Sequence, residues 1–468
     1  MLRLIFMLLG LAGLVSSALA QTHPAGFEDE MVIGGLDEPT ALLQMPDGKL
    51  LVGLRTGVIR VVLPNGTLLP KAMLTIPVHT FEETGLLGLA LHPQYPTQPF
   101  LYVFHSPTPG TVNRVTRYAV TADTVVAGSA QVMIEIPMGD GYHLGSCIRT
   151  TADGYLWVST GDTGRPQLGY PQQLDRLEGK LLRLNLDGSI PATNPFVGVA
   201  GAREEIYQLG LRNPFRFAIQ SGTAQPFICD VGQSAWEEID AGVPGANFGW
   251  PIHEGPVVPE PAGMKNPLYA YDTQGSASIT GCLFYTGTNF PAEFRDNLFF
   301  LDHSRGQIGR MVLGPANEVV SVTQPWATTQ GEGWGTGPVD LMLGLDGALY
   351  YTQYAGQQIR RLRYGPLVGV DPADLPRAVL FEAPRPNPMS SVATLRFALP
   401  ALGRARLRVF DVQGRLVRLL CDGDREPGTH AEAWDGADDA GNVVPPGLYF
   451  ARLEAGGLTL SQRIVRVR

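Results

Sequence analysis

The stretch MPDGKLLVGLRTGVIRVV, residues 45–62, carries the pattern on which the fold turns. Asp47-Gly48 is a tight turn, because Gly supplies a backbone conformation that other residues resist. Leu50 to Leu54 is an apolar strand, Arg55-Thr56-Gly57 is a polar turn, and Val58 to Val62 is a second apolar strand. Such a hairpin has two apolar faces and cannot bury both by itself.

The pattern recurs. It returns as HPQYPTQPFLYVFHS from His92, with RVTRYAV after it, and as TADGYLWVSTGD from Thr151, with GKLLRLNLDG following. RNPFRFAIQSGTAQPFICDVG from Arg212, FRDNLFFLDHSRGQIGRMVL from Phe294 and GLDGALYYTQYAGQQIRRLRY from Gly344 complete the series. A repeat of roughly 50–70 residues is the spacing of propeller blades. Stacking six hairpin-based sheets around an axis buries both faces of each and leaves only short edges. A six-bladed β-propeller over residues 28–365 is therefore expected, with insertions at 162–178 and 243–275 on one face. EEIDAG from Glu237 is too short to be read as a stable helix.

The whole chain agrees with an all-β reading. It has 468 residues, enough for two or three domains, with 56 Gly and 38 Pro outside any low-complexity tract. A net charge of -9 and the lack of a Lys/Arg run argue against nucleic acid as a partner. At the N-terminus, Arg3, an apolar run from Leu4 to Val15 and Ala18-Leu19-Ala20 form an export signal over residues 1–20. An exported, periplasmic, secreted or cell-surface protein with no membrane span is expected. Cys147, Cys229, Cys282 and Cys421 fit no zinc spacing and read as small buried hydrophobes.

The pattern changes after Tyr364. Residues 366–380 are Pro-rich and aperiodic, which reads as a linker. Residues 381–468 then hold about seven short strands with turns at Gln413-Gly414 and Asp438–Asn442, the pattern of an immunoglobulin-like β-sandwich.

The first of these regions resembles the glucose/sorbosone dehydrogenase family. ETGLLGLALHPQY at Glu83 is similar to the family's E-x-G-L-L-G-x-A-x-H-P, and HLGSCIRTTADGYLWVSTGD at His143 to its H-x-G-G-x-L…DG-x-L-Y-V…GD. LEGKLLRLNLDGSIPATNPF at Leu177, EIYQLGLRNPFRF at Glu205 and SITGCLFYTG at Ser278 continue the likeness in order. EEIDAGVPGANFGWP at Glu237 is similar to the family's E-E-I-N…G-x-N-Y-G-W-P. The region after the linker resembles immunoglobulin-like domains of the flagellar hook-capping type, related to sorting modules of secreted bacterial proteins. PNP at Pro386, VFDVQGRLVR at Val409, WDGADDAGN at Trp434 and GLYFARLEAGG at Gly447 carry that likeness. It implies the cell surface or the secretion machinery as a partner.

The first resemblance implies a sugar dehydrogenase using pyrroloquinoline quinone (PQQ) and Ca²⁺, with a small sugar as substrate and an external electron acceptor. His143 stands where the family's base stands, and a His suits proton removal near neutral pH. Arg212 and Asn213 match residues that face the cofactor, Arg212 as a polarising donor, and Glu83 matches a polar pocket position. Gly232 and Gln233 match the carbonyls that hold the cofactor's calcium, and Glu237, Glu238 and Phe248 match a second calcium-binding element. The chain departs from the pattern at Ser146, which replaces a Gly. It also departs at Thr286 and at GPVDL (Gly337–Leu341), which replace basic residues. Those replacements imply PQQ affinity in the micromolar range or weaker. The alternative reading is a non-enzymatic propeller that binds carbohydrate or protein.

Overall fold

The computed structural model describes residues 23–329, 337–365, 379–399, 403–425, 428–456 and 458–467. The leader at 1–20 and nearly all of the linker at 366–380 lie outside those residues.

The six sequence copies become six antiparallel sheets, each of four principal strands. The first sheet runs through Pro39–Gln44, Leu50–Leu54, Val58–Val62 and Leu74–Thr75. The second is built on Leu86–Leu91, the third on Ile148–Thr150, the fourth on Pro214–Ile219 and the fifth on Ile279–Phe284. The sixth holds Pro338–Leu343, Leu349–Gln353 and Gln358–Tyr364, and its outer strand is Phe27–Gly34 from the other end of the region. That strand locks the ring by pairing chain ends more than 300 residues apart. EEIDAG, unfit for a helix, lies in strand Trp236–Ala241.

The first strands of successive sheets pack on one another, and Pro338–Leu343 returns to Pro39–Gln44. An apolar cluster fills each junction. Leu51, Ile59, Leu86 and Val103 join the first and second sheets, and Phe227, Ile239, Ile279 and Phe300 join the fourth and fifth. Cys147 and Trp157 of the third sheet meet Phe217 and Ile228 of the fourth. Burial of these faces, at about 25 cal/mol per Å² of apolar surface, is what turns a set of hairpins into a closed ring. Five of the six inner strands carry a register shift near their start, between Pro39/Ala41, Leu86/Gly88, Pro214/Arg216, Ile279/Gly281 and Pro338/Leu341. Bulges at one rim re-aim side chains there.

Arg216 ties the ring together at its centre. Its Nη2 donates to the carbonyls of Thr40 at 2.7 Å and Leu87 at 3.1 Å, and its Nε pairs with Asp340 at 3.2 Å. Arg149 Nη2 lies 3.6 Å from the same carboxylate. Asp340 belongs to the GPVDL segment, so that segment anchors the axis of the ring.

The C-terminal region forms a three-stranded and a four-stranded sheet, the second ordered Leu416–Arg425, Gly403–Phe410, Gly447–Ala455, Leu458–Arg466. Between them lies an apolar cluster with Phe397, Leu407, Trp434, Tyr449 and Ile464. All four cysteines are buried and free. Among the described residues no helix is long and apolar enough to cross a membrane.

Candidate functional site

Four of the sequence candidates meet at one rim of the ring, where the inner strands begin. His143 precedes Ile148–Thr150, Arg212 and Asn213 precede Pro214–Ile219, and Glu83 precedes Leu86–Leu91. His143 Nε2 lies 3.1 Å from Arg212 Nη2, although 69 residues separate them in sequence. The His143 N–H donates to Glu83 Oε2 at 2.8 Å, and the Gly145 N–H donates to Asn213 Oδ1 at 3.1 Å.

A residue with no role in the sequence reading completes the group. Asp162, fully buried, lies 2.8 Å from His143 Nδ1 through Oδ1. The same carboxylate accepts from Trp250 Nε1 at 2.8 Å and from the Gly164 N–H at 2.9 Å. The guanidinium is a donor only, so His143 Nε2 accepts from Arg212 and Nδ1 carries the proton that goes to Asp162. The imidazole is thus neutral, with its basic nitrogen turned toward Arg212 and the open rim, and its side chain is 20% exposed.

The backbone is shaped for this contact. His143 has φ 50°, and Ser146, at the position where the family pattern has Gly, has φ 78°. Both lie in the left-handed region that strains residues with a Cβ. A Cβ on Gly161 would lie 2.0 Å from the His143 carbonyl oxygen, so only glycine lets the two loops approach. Lys180 holds the insertion between them, donating from Nζ to the carbonyls of Tyr170, Pro171 and Glu178 at 2.9, 3.0 and 2.7 Å. Burial pulls its ammonium down to about 7, against the pull of Glu178 and Asp175.

Arg212 is fixed from below and behind. Its N–H and that of Asn213 donate to Asp230 at 2.9 and 2.6 Å, and its Nη1 donates to the Val231 carbonyl at 2.7 Å. The guanidinium carbon lies 5.6 Å from the Trp250 ring centre. Its Nε is buried without a partner, a donor left for an incoming acceptor. Burial pushes the Glu83 carboxyl up, opposed by the neighbouring His143 and Arg212 and by the backbone N–H groups.

The loop Gly232–Trp236 is the other half of the site. Glu254 Oε1 accepts the N–H groups of Gln233, Ser234, Ala235 and Trp236 at 2.7 to 3.3 Å. With those N–H groups drawn to one carboxylate, no described residue donates to the carbonyls of Gly232 and Gln233. Free carbonyl oxygens beside an unpartnered Arg nitrogen fit a hard cation next to a carbonyl-bearing group.

The structure divides the second proposed calcium element. Neighbouring strand residues point to opposite faces. Glu237 accepts from the Ile279 N–H at 2.8 Å on the face toward the fifth sheet, while Glu238 turns the other way and accepts from Gly255. Phe248 packs its ring in the cluster with Cys147, Trp157 and Phe217. The side chains of Glu237 and Glu238 therefore do not converge on one ion. Burial pushes both up to about 8, Glu238 also through repulsion from Asp230.

Thr286 corrects a second expectation. Strand Ile279–Phe284 starts at the His143 rim and carries Thr286 to the far end, roughly 20 Å away. There the neighbouring Tyr285 hydroxyl donates to the Gly347 carbonyl at 2.7 Å. Thr286 removes no charge from this site. Arg305 is committed to the carbonyls of Ser276, Asp272 and Thr273, and Arg149 lies at the axis.

Comparison with known proteins gives one consistent picture. The family described as Glucose / Sorbosone dehydrogenase matches residues 36–358, and the FlgD Ig-like domain matches residues 391–457. The aldose sugar dehydrogenase YliI of Escherichia coli is 30% identical over 303 residues, which is 61% of this chain and 80% of that protein. The quinoprotein glucose dehydrogenase B of Acinetobacter calcoaceticus is 30% identical over 299 residues, 57% of this chain and 59% of that protein. A solved structure described as a putative oxidoreductase (glucose dehydrogenase) from Thermus thermophilus superposes with a TM-score of 0.63 at 31% identity. It covers 72% of this chain and 100% of its own.

Proposed function

Because this chain belongs to the glucose/sorbosone dehydrogenase family, we propose that it is an exported sugar dehydrogenase that uses PQQ and Ca²⁺ and oxidises a hydroxyl of an aldose or related sugar. The observation that carries this reading is the chain Asp162–His143–Arg212, with contacts of 2.8 and 3.1 Å.

PQQ, when bound, supplies an ortho-quinone that accepts a hydride and passes the electrons to an external acceptor. The protein's part is positioning and proton handling. Arg212 and Asn213 would meet the cofactor's oxygens, and the carbonyls of Gly232 and Gln233 would hold its calcium. Arg212 occupies the lone pair of His143 Nε2 in the structure. A carbonyl or carboxylate presented to the guanidinium competes for that donor and frees Nε2. His143 then takes the sugar hydroxyl proton at Nε2. The buried Asp162 carboxylate stabilises the resulting imidazolium and holds it in the productive tautomer.

The departure at GPVDL, where Asp340 is engaged by Arg216, leaves the cofactor's carboxylates with fewer basic partners than the family pattern supplies. Thr286 no longer adds to that deficit. The C-terminal domain serves export or surface attachment on this reading, and the propeller acts without it.

The test is reconstitution of the purified full chain with PQQ and Ca²⁺, followed by dye reduction across a panel of aldoses. Turnover that needs both additions supports the proposal. Sugar binding without turnover would favour the non-enzymatic propeller.

A further inference from the structure

Two large aromatic side chains stand in the open beside His143. Tyr142 immediately precedes it and is 39% exposed, and Phe81, on the turn that leads to Glu83, is 56% exposed. The ring centres of Tyr142 and His143 lie 6.5 Å apart, with the planes at 64°. Gly141 lies between the two aromatics. A Cβ there would sit 3.5 Å from Phe81 Cδ1 and 3.5 Å from Thr84 Cγ2. The Glu83 N–H donates to the Gly141 carbonyl at 3.1 Å, which joins the two loops into one segment of the rim.

The backbone under these rings is fixed. Thr84, fully buried, donates to the Phe81 carbonyl both from its N–H, at 3.0 Å, and from its hydroxyl. Arg55 Nη1 donates to the carbonyls of Thr80 at 2.8 Å and Glu82 at 3.2 Å. Glu82 itself has φ 50°, in the left-handed region that strains a residue with a Cβ. A single exposed apolar side chain needs no explanation. Two rings held in water on fixed, partly strained backbone, either side of one glycine and next to the site, are a surface shaped to be covered.

We infer that Phe81 and Tyr142 form a saccharide subsite for the sugar unit next to the one at His143. The inference rests on the dehydrogenase reading for the place of the reacting unit, and it adds the size of the substrate: a glycan of two or more units. A pyranose ring carries C–H groups on its faces and hydroxyls around its edge. An aromatic face, negative in its quadrupole, suits those C–H groups. The hydroxyl end of Tyr142 is turned to the Glu82 carboxylate, so groups that pair with sugar hydroxyls stand at the edge of the platform. The 6.5 Å between the Tyr142 and His143 rings is comparable to the spacing of linked sugar rings. The flanks are polar, with Glu82 on one side and the Asp140–Arg165 ion pair on the other. Two rings so bounded fit a small amphipathic ligand and fall short of the area that a protein partner buries.

The test measures binding apart from turnover. The calcium-loaded full chain, without PQQ, is titrated with glucose, maltose, cellobiose and the matching trisaccharides, followed by calorimetry and saturation-transfer NMR. At least one longer sugar is expected to bind about tenfold more tightly than glucose. Phe81→Ala and Tyr142→Ala should each remove most of that gain, and Tyr142→Phe, which keeps the ring, should retain it. Both side chains are exposed, so their truncation leaves the core intact, and circular dichroism checks the fold. With PQQ bound, the two Ala variants should raise KM for the longer sugar about tenfold and change kcat little. The subsite is overturned if no longer sugar gains over glucose, or if the gain survives in both folded Ala variants. A gain in binding without any turnover would remove the dehydrogenase reading and leave the subsite. Turnover of glucose with no gain for a longer sugar would do the reverse.

Discussion

Replacing Asp162 with Asn is the sharpest perturbation of the proposed chemistry. Three donors face this buried carboxylate: His143 Nδ1–H, Trp250 Nε1–H and the Gly164 N–H. An amide has one acceptor oxygen and two N–H donors. With its NH₂ toward Trp250, two donors oppose each other. With its NH₂ toward His143, Nδ1 must become the acceptor. The ring proton then moves to Nε2, where it meets the Arg212 donor 3.1 Å away. Either arrangement removes the base or the charge that stabilises its protonated form. A charge-assisted hydrogen bond in a buried site contributes about 1.5–3 kcal/mol, or roughly 10- to 150-fold. Losing the correct tautomer takes the effect toward about 10,000-fold. The expected result of Asp162→Asn is a kcat between about 100- and 10,000-fold below wild type, measured by dye reduction at saturating aldose with PQQ and calcium present. PQQ binding, followed by quinone absorbance, should change little, because Asp162 does not face the open rim. A folded variant that keeps a third or more of wild-type kcat would refute the assigned role.

Other outcomes follow from separate parts of the fold. Ser146→Gly relieves a left-handed backbone at φ 78° and should raise stability by about 1 kcal/mol in denaturant unfolding; a loss would show that the Ser side chain outweighs the strain. Asp340→Ala leaves Arg216 buried at the axis without its 3.2 Å partner, and should cost about 3–5 kcal/mol in the same assay. Burial, helped by the charge of Arg114, lowers the His105 imidazole to about 4. The unfolded chain therefore binds the proton first on acidification. The stability contributed by neutral His105, at most about 3 kcal/mol, is present above about pH 6.5 and lost as pH falls toward 4. His105→Gln should flatten unfolding free energy against pH across that window. Truncation after Gly365 should leave turnover unchanged, and loss of turnover by a folded truncation would show that the C-terminal domain takes part.

The ring was legible because each hairpin copy carries its own turn and apolar runs, and because six of them return at blade spacing. The outer strand Phe27–Gly34 was harder to foresee, since closure by a distant chain end leaves no local pattern. His143, Arg212 and Glu83 were found through motif positions, and strand topology does bring them together. Asp162 was missed although the TGD ending the Thr151 copy contains it, because a lone Asp before an insertion also reads as a turn residue. The Glu237-Glu238 pair was misread because adjacency in sequence means opposite faces in a strand. On its own face of the strand Glu238 lies beside Asp240, two residues on, and opposite Asp230 across the hairpin. Thr286 was placed at the cofactor by order along the chain, whereas Ile279–Phe284 spans the sheet and delivers it to the other rim.

The central claim is that His143 removes a proton from a sugar hydroxyl beside a quinone held by Arg212 and Asn213. The most direct measurement is an anaerobic single turnover. Calcium-loaded full chain with one equivalent of PQQ is mixed with excess aldose, and quinone absorbance and oxidised sugar are followed together. The account predicts bleaching of the quinone with one oxidised sugar formed per PQQ, and loss of that bleaching in His143→Ala while PQQ stays bound. A bound quinone whose spectrum no aldose changes, or equal bleaching in His143→Ala, would contradict it.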